Sequence, residues 1–395
     1  MPEKFVYADN AATTRVSQSV LDAMLPYFGE EYGNPSSLHS KGREASAALG
    51  DARARIAKLL GAKESEIYFT ASGSEADNWA AKGAAYANRD RGRHIVSTKI
   101  EHHAVLNSLK ALEREGFEVT LVDVDQGGRV SPEAVANAVR EDTVLVSVMT
   151  ANNEVGTIEP IAEISAAVKQ KNRKTLIFTD AVQAAGTLRL DVRELGVDML
   201  SLSGHKLHAP KGVGALYIRN GIRVSNLIDG GGQERSRRGG TENLPYIIGL
   251  AKALEDAVAG IDENARVSAM RDRLIDGILD KIPYTRLNGA REQRLPGNVN
   301  ISFDYIEGES LLLWLDMNGI CASTGSACSS ASLEASHVLL ALGVPVESAH
   351  GSLRLSLGRD NTDDDVDYIL RVLPGIVERL RAMSPLYEKV NGSKI

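Results

Sequence analysis

The sequence predicts an α/β fold in which a mainly parallel sheet forms a large domain and a smaller α+β domain accompanies it. Three observations carry that expectation. Short β-branched runs of buried-strand length recur between amphipathic helical patterns long enough to cross back over a parallel sheet. The alternation stops near Pro245, where a long helical pattern replaces it. A chain of 395 residues with 43% hydrophobic content also exceeds what one compact core usually holds.

In chain order the strand candidates are Ile67–Thr70, His94–Thr98, 119–122, 143–149, 175–179, Met199–Ser203 and 213–218. Between such runs lie helices of the kind seen at 43–60, where Leu49, Ala52, Ile56, Leu59 and Leu60 fall on one face. From Pro245 the spacing predicts one helical stretch reaching about Lys281, then a shorter mix of strands, loops and helices that forms the small domain. The acidic run at 360–367 reads as the solvated start of a further helix, where carboxylates complement the helix dipole. There is no internal repeat and no low-complexity segment.

The bulk properties narrow the function. A net charge of −7 excludes a general polyanion binder, so nucleic acid is not an expected partner. No stretch approaches the roughly 18 uninterrupted apolar residues of a spanning helix, and membrane association is not expected. The opening MPEKFVYADN lacks the apolar core of a secretory signal, which makes a mature start and a cytoplasmic location the expectation. Two cysteines, Cys321 and Cys328, exclude a disulfide framework and suit a reducing compartment. They are not close-spaced and no histidine pair accompanies them, so no metal site is expected.

Ligands in open α/β sheets bind at the carboxyl ends of the strands, and four such places carry polar residues. After Ile67–Thr70, the run Ala71–Asn78 enters a helix through Gly73 and Ser74, and its free N–H groups suit a phosphate or are simply capped. After 175–179 come Asp180 and Gln183, the aspartate being a ligand-facing carboxylate or a helix cap. The turn Ser203–Gly214 gathers Ser203, His205 and Lys206, a lysine that is partly desolvated and nucleophilic or an ordinary solvated charge. In Thr324–Ser336, Cys328 sits among Ser and Ala, where it reads as an exposed thiol, whereas Cys321 ends an apolar segment and reads as buried. A strand-end carboxylate, a lysine on a later turn and a hydroxyl-rich anion cradle are together what pyridoxal phosphate requires.

Motifs along essentially the whole chain resemble the cysteine desulfurases of the NifS/IscS class, within the class V aminotransferase group of fold type I pyridoxal phosphate enzymes. They are YADNAATT at 7–14, YGNPSSLH at 32–39, EHHAV at 101–105, NNEVG at 152–156, DAVQ at 180–183, SGHK at 203–206, GGGQER at 230–235, GSACSSAS at 325–332 and RLSLGR at 354–359. The resemblance implies a large domain at 15–258 and a small one made of 1–14 plus 259–395. It implies that Lys206 holds the cofactor covalently, Asp180 pairs with the pyridine nitrogen, Gln183 touches the ring oxygen, and His102 stacks on the ring and moves protons. Gly73, Ser74, Ser203 and His205 match positions around the phosphate, with Thr241 supplied across a homodimer interface; Gly73-Ser74 stands where relatives often carry Ala-Thr, and the hydroxyl is kept. Asn10, Asn153 and Arg354 match positions that grip the substrate carboxylate. The implied reaction takes L-cysteine to L-alanine, leaves a persulfide on Cys328 and donates it to an acceptor such as an iron–sulfur scaffold. A selenocysteine lyase, a class V aminotransferase and a docking platform are the rival readings.

Overall fold

A computed structural model describes residues 2–325 and 334–392, with side chains as far as Lys389. Its strands among the described residues are β1 (Val6–Tyr7), β2 (Ile67–Thr70), β3 (His94–Thr98), β4 (Glu118–Val122), β5 (Thr143–Ser147), β6 (Leu176–Asp180), β7 (Met199–Ser203), β8 (Gly214–Ile218), β9 (Thr285–Leu287), β10 (Asn298–Phe303), β11 (Ile320–Cys321) and β12 (Ser352–Ser356). Seven of them form one sheet in the order β2-β8-β7-β6-β5-β3-β4. Only β8 runs against the rest, being antiparallel to both β2 and β7.

Strand residues alternate between the two faces of this sheet, as the two-residue period requires. Ile67, Phe69, Val96, Val146, Ile177, Leu200 and Leu202 pack on one side with helices Gln18–Met24, Ser40–Leu59, Ile161–Lys171 and Leu244–Ala259. Tyr68, Ile95, Leu145, Phe178 and Met199 pack on the other with Gly73–Asn88 and His103–Arg114. The sheet is thus buried on both faces, which explains why its strands read as continuous apolar runs.

A separate core joins Val6 and Ala8 to the three antiparallel strands β12-β10-β9 and to helices Asn264–Lys281, Gly308–Met317 and Asp363–Ala382. Parallel pairing of Val6–Tyr7 with Ile320–Cys321 ties the chain's start to this part of the fold. The helix Asp363–Ala382 begins with a capping box between Thr362 and Asp365, so the acidic run is a helix start as read from the sequence.

Some boundaries differ from the sequence reading. The expected helix over 245–281 is two helices, Leu244–Ala259 and Asn264–Lys281, separated by Gly260 and the short 3-10 turn Ile261–Glu263. Glycine ends the first helix because it carries the largest backbone-entropy penalty for continuing it. The strand expected over 143–149 stops at Ser147, and the one expected over 175–179 runs from Leu176 to Asp180. The second shift makes Asp180 the last residue of its strand, at the carboxyl end of the sheet where ligands bind.

Candidate active site

The carboxyl ends of β2, β3, β5, β6 and β7 converge on a cavity of about 190 Å³. It brings together Gly73, Ser74, His102, Asn153, Asp180, Gln183, Ser203, His205, Lys206 and Arg354 from the sequence-derived set. A neighbouring cavity of about 230 Å³ shares Ala11, Gln183 and Lys206 with it but collects none of the other strand-end groups.

One end of the smaller cavity suits an anion. Ser72 caps the helix Gly73–Asn88, its Oγ accepting from Glu75 N at 3.1 Å. The first N–H groups of a helix lack partners within it, so those of Gly73 and Ser74 face a site already biased toward negative charge. A Cβ on Gly73 would lie 2.9 Å from Val182 Cγ2 and 3.1 Å from Ser203 Cβ, so the helix entry packs closely against both side chains. Nearby, burial and the adjacent Lys206 and Lys211 charges push the His205 imidazole down to about 4. It is therefore neutral near pH 7, with Nδ1 3.2 Å from Thr13 Oγ1.

Carboxyls occupy the floor. Asp180 is buried, and its Oδ1 accepts from Val182 N at 2.8 Å. Burial raises its proton affinity, while the charges of His102 and Lys206 oppose that rise. Asp77 lies beside it, fully buried and accepting from Ser201 Oγ at 2.6 Å. Burial and then the charge of Asp180 hold the Asp77 carboxyl well above the usual range. Their carboxylate oxygens lie within 4.8 Å of each other, so the two groups titrate as a coupled pair. His102 caps the helix His103–Arg114, its Nδ1 accepting from Ala104 N at 3.1 Å, and a ring nitrogen lies within 4.8 Å of a carboxylate oxygen of each.

Lys206 follows β7 in the 3-10 turn Gly204–Lys206. Its Nζ donates to the carbonyls of Ala11 at 2.5 Å and Ala12 at 2.7 Å. Gln183 Nε2 donates to the same Ala11 carbonyl at 3.0 Å, so the N-terminal segment holds both side chains.

At the opposite end, Arg354 stands in the middle of β12 and is 1% exposed. Its guanidinium donates to Asp9 Oδ1 at 3.1 Å, Asn153 O at 3.0 Å and Gly325 O at 3.3 Å. Its Nε is buried with no hydrogen-bond partner among the described residues.

Three sequence-derived residues are not gathered here. Asn10 lines the larger cavity, and its amide donates to Ser356 O at 2.8 Å. Thr241 is exposed and away from the cavity within this chain. Cys328 lies outside the described residues. Cys321, expected to be buried, is half-buried in β11, and burial raises its thiol. Sequence reasoning passed over Asp77, Asp9 and Glu154, although each lies within or beside a motif it used. An aspartate among the alanines of Gly73–Asn88 was the one available signal for a buried polar group.

Comparison with known proteins finds relatives over nearly the whole chain. Residues 6–369 match the family model described as Aminotransferase class-V. A protein named cysteine desulfurase IscS from Methanosarcina thermophila is 57% identical over 387 residues, 98% of this chain and 95% of its own. A solved NifS-like protein superposes with a TM-score of 0.90 at 42% identity, covering 95% of this chain and 100% of that one. A structure described as SspA in complex with cysteine gives a TM-score of 0.79 at 35% identity, covering 89% and 98%.

Proposed function

The chain belongs to the aminotransferase class-V family and to its cysteine desulfurases, and from that membership we propose that this cavity takes sulfur from L-cysteine, with Cys328 as the acceptor thiol. The observation that carries the reading is the convergence of Lys206, Asp180 and the Gly73–Ser74 helix entry on one cavity. That donor set fits pyridoxal phosphate: Gly73, Ser74, Ser203 and His205 would hold the phosphate, Asp180 the ring nitrogen and Lys206 the aldehyde carbon. The cradle that a Gly73 Cβ would fill supports the same fit. Bound there, the cofactor supplies an electron sink that acidifies the substrate's α-carbon.

The chain's own groups then divide the work. Arg354 orients the substrate carboxylate through paired donors, a geometry suited to two oxygens at once. Asn153 lies beside it. Lys206, once its amine is free, takes the α-proton, and the Ala11 and Ala12 carbonyls stabilise it when protonated. Asp180 would face the ring nitrogen, with Asp77 beside it and the charges of His102 and Lys206 opposing the rise that burial causes. His102 orients above the floor and exchanges a proton with substrate or thiol.

Sulfur transfer balances without an added oxidant or reductant. The Cys328 thiolate attacks the substrate sulfur, an S–S bond forms as the Cβ–S bond breaks, and the released electron pair ends on carbon. Protonation there gives L-alanine, and the enzyme keeps a persulfide. The persulfide is donated to an acceptor protein such as an iron–sulfur scaffold. Self-association into a homodimer, which would bring Thr241 to a partner's cavity, is supported by Leu25, Phe28, Tyr32 and the 91%-exposed Leu38. Among the described residues no helix is long and apolar enough to cross a membrane. Borohydride reduction of the cofactor-loaded protein, followed by peptide mapping, tests the site. Label on Lys206 is expected, and label on Lys211 or any other lysine would overturn the assignment.

A further inference from the structure

We propose that Glu154 is a positioning residue for sulfur transfer, fixing residues 325 and 336 on either side of Cys328 in the chain. The proposal rests on the reading that Cys328 accepts the sulfur.

The backbone at Glu154 is held from two directions. The N–H groups of Glu154 and Val155 donate to Asn152 Oδ1 at 2.8 and 3.0 Å. The Glu154 carbonyl accepts from Asn298 Nδ2 and Asn300 Nδ2 on β10, both at 3.1 Å. Gly156 follows with φ +76°, and a Cβ there would lie 2.6 Å from Asn298, so the turn sits directly against that strand. A side chain leaving such a turn has its origin fixed.

That side chain is buried, and its carboxyl meets both flanks of Cys328. Oε2 accepts from Ser336 Oγ at 2.5 Å, while Ser336 Oγ itself accepts from Leu339 N at 3.2 Å. Oε2 also lies 2.6 Å from where a Gly325 Cβ would stand, so residue 325 is glycine because the carboxyl fills that space. The Gly325 carbonyl in turn accepts from Arg354. Arg354, Gly325, Glu154 and Ser336 therefore form one connected set, linking the expected carboxylate grip to both ends of the chain that bears the thiol. Burial raises the Glu154 carboxyl, opposed by Ser336, Arg354, His103 and His102 in that order.

Restricting both ends of a segment narrows the volume its middle samples, and displacement of a reacting atom by about 1 Å can cost roughly a hundredfold in rate. The test uses the cofactor-loaded full chain with Glu154→Ala, Glu154→Gln and Ser336→Ala. It follows cofactor absorption, the absorption change that L-cysteine induces, and persulfide appearing on Cys328 in a single turnover by mass spectrometry. Glu154→Ala is expected to keep the first two and slow persulfide formation by roughly tenfold or more. Glu154→Gln, which keeps the acceptor and the size, should restore most of the rate. Ser336→Ala removes one tether without a large cavity, so it should slow the same step and carries the test if Glu154→Ala does not fold. Wild-type persulfide formation in Glu154→Ala overturns the proposal. So does a loss already present in the L-cysteine absorption change, or a glutamine variant as slow as alanine. A Cys328→Ala enzyme that still releases alanine overturns the underlying reading instead, independently of any Glu154 variant.

Discussion

Replacing Arg354 with lysine probes the substrate end of the cavity with little change in size or charge. The guanidinium serves Asp9 from Nη2 and both Asn153 O and Gly325 O from Nη1, at 3.0–3.3 Å, and it is 1% exposed. A single ammonium on a similar stem cannot reach all three and also offer a fork to a carboxylate. Losing a charge-assisted contact at so buried a site costs about 2–5 kcal/mol, which corresponds to roughly 30-fold to 5,000-fold in kcat/KM. The carboxylate is held before and during reaction, so the loss should fall mainly on KM. The assay is alanine formation over a range of L-cysteine concentrations, with cofactor absorption recorded on the same samples. Unchanged kcat/KM would refute the reasoning and move the carboxylate to another cation, Arg359 of the neighbouring cavity being the first to examine. Loss of cofactor absorption in step with activity would make Arg354 a scaffold residue instead.

Three further outcomes are expected. Gly73→Ala should weaken cofactor binding by less than about tenfold, measured by titrating the cofactor-free protein, because its methyl group presses on the Val182 and Ser203 side chains, which can shift to admit it. Glu101 is buried and its carboxyl is raised to about 8, so between about pH 4.5 and 8 the folded state keeps a proton that the unfolded chain has released. Stability is then greatest below the lower limit and falls as pH rises, and Glu101→Gln should lessen that fall by about 1.4 kcal/mol per pH unit in denaturant titrations. Paired substitutions of Leu25 and Phe28 by glutamate should shift the protein to a monomer in light scattering, and an unaltered mass would remove that face from the interface.

Much of the large sheet was legible because its strands are buried on both faces and therefore read as short apolar runs bounded by polar residues. His94–Thr98 and Met199–Ser203 begin and end where the sequence placed them. The break at Gly260 was not legible, since the apolar spacing continues through both helices and one glycine inside a helical pattern is common. Lys206, Asp180 and the Gly73–Ser74 entry were found because each follows a strand end and each has a side chain whose chemistry stands out locally. Asp77 and Glu154 were missed for the opposite reason. Their importance comes from burial against residues more than a hundred positions away, Ser201 for one and Asn298 and Ser336 for the other. Such long-range partners leave no mark on local spacing. Asn10 shows the converse, a motif residue whose amide is occupied by Ser356 and which lines the neighbouring cavity.

The most direct measurement is a single turnover of cofactor-loaded protein with L-cysteine, quantifying alanine released and persulfide on each cysteine by mass spectrometry, in the wild type, Cys321→Ala and Cys328→Ala. The account predicts one persulfide per alanine, located on Cys328, in the wild type and in Cys321→Ala. It predicts neither product in Cys328→Ala, although L-cysteine still alters its absorption. Alanine released by Cys328→Ala at the wild-type rate, or persulfide found on Cys321, would contradict it.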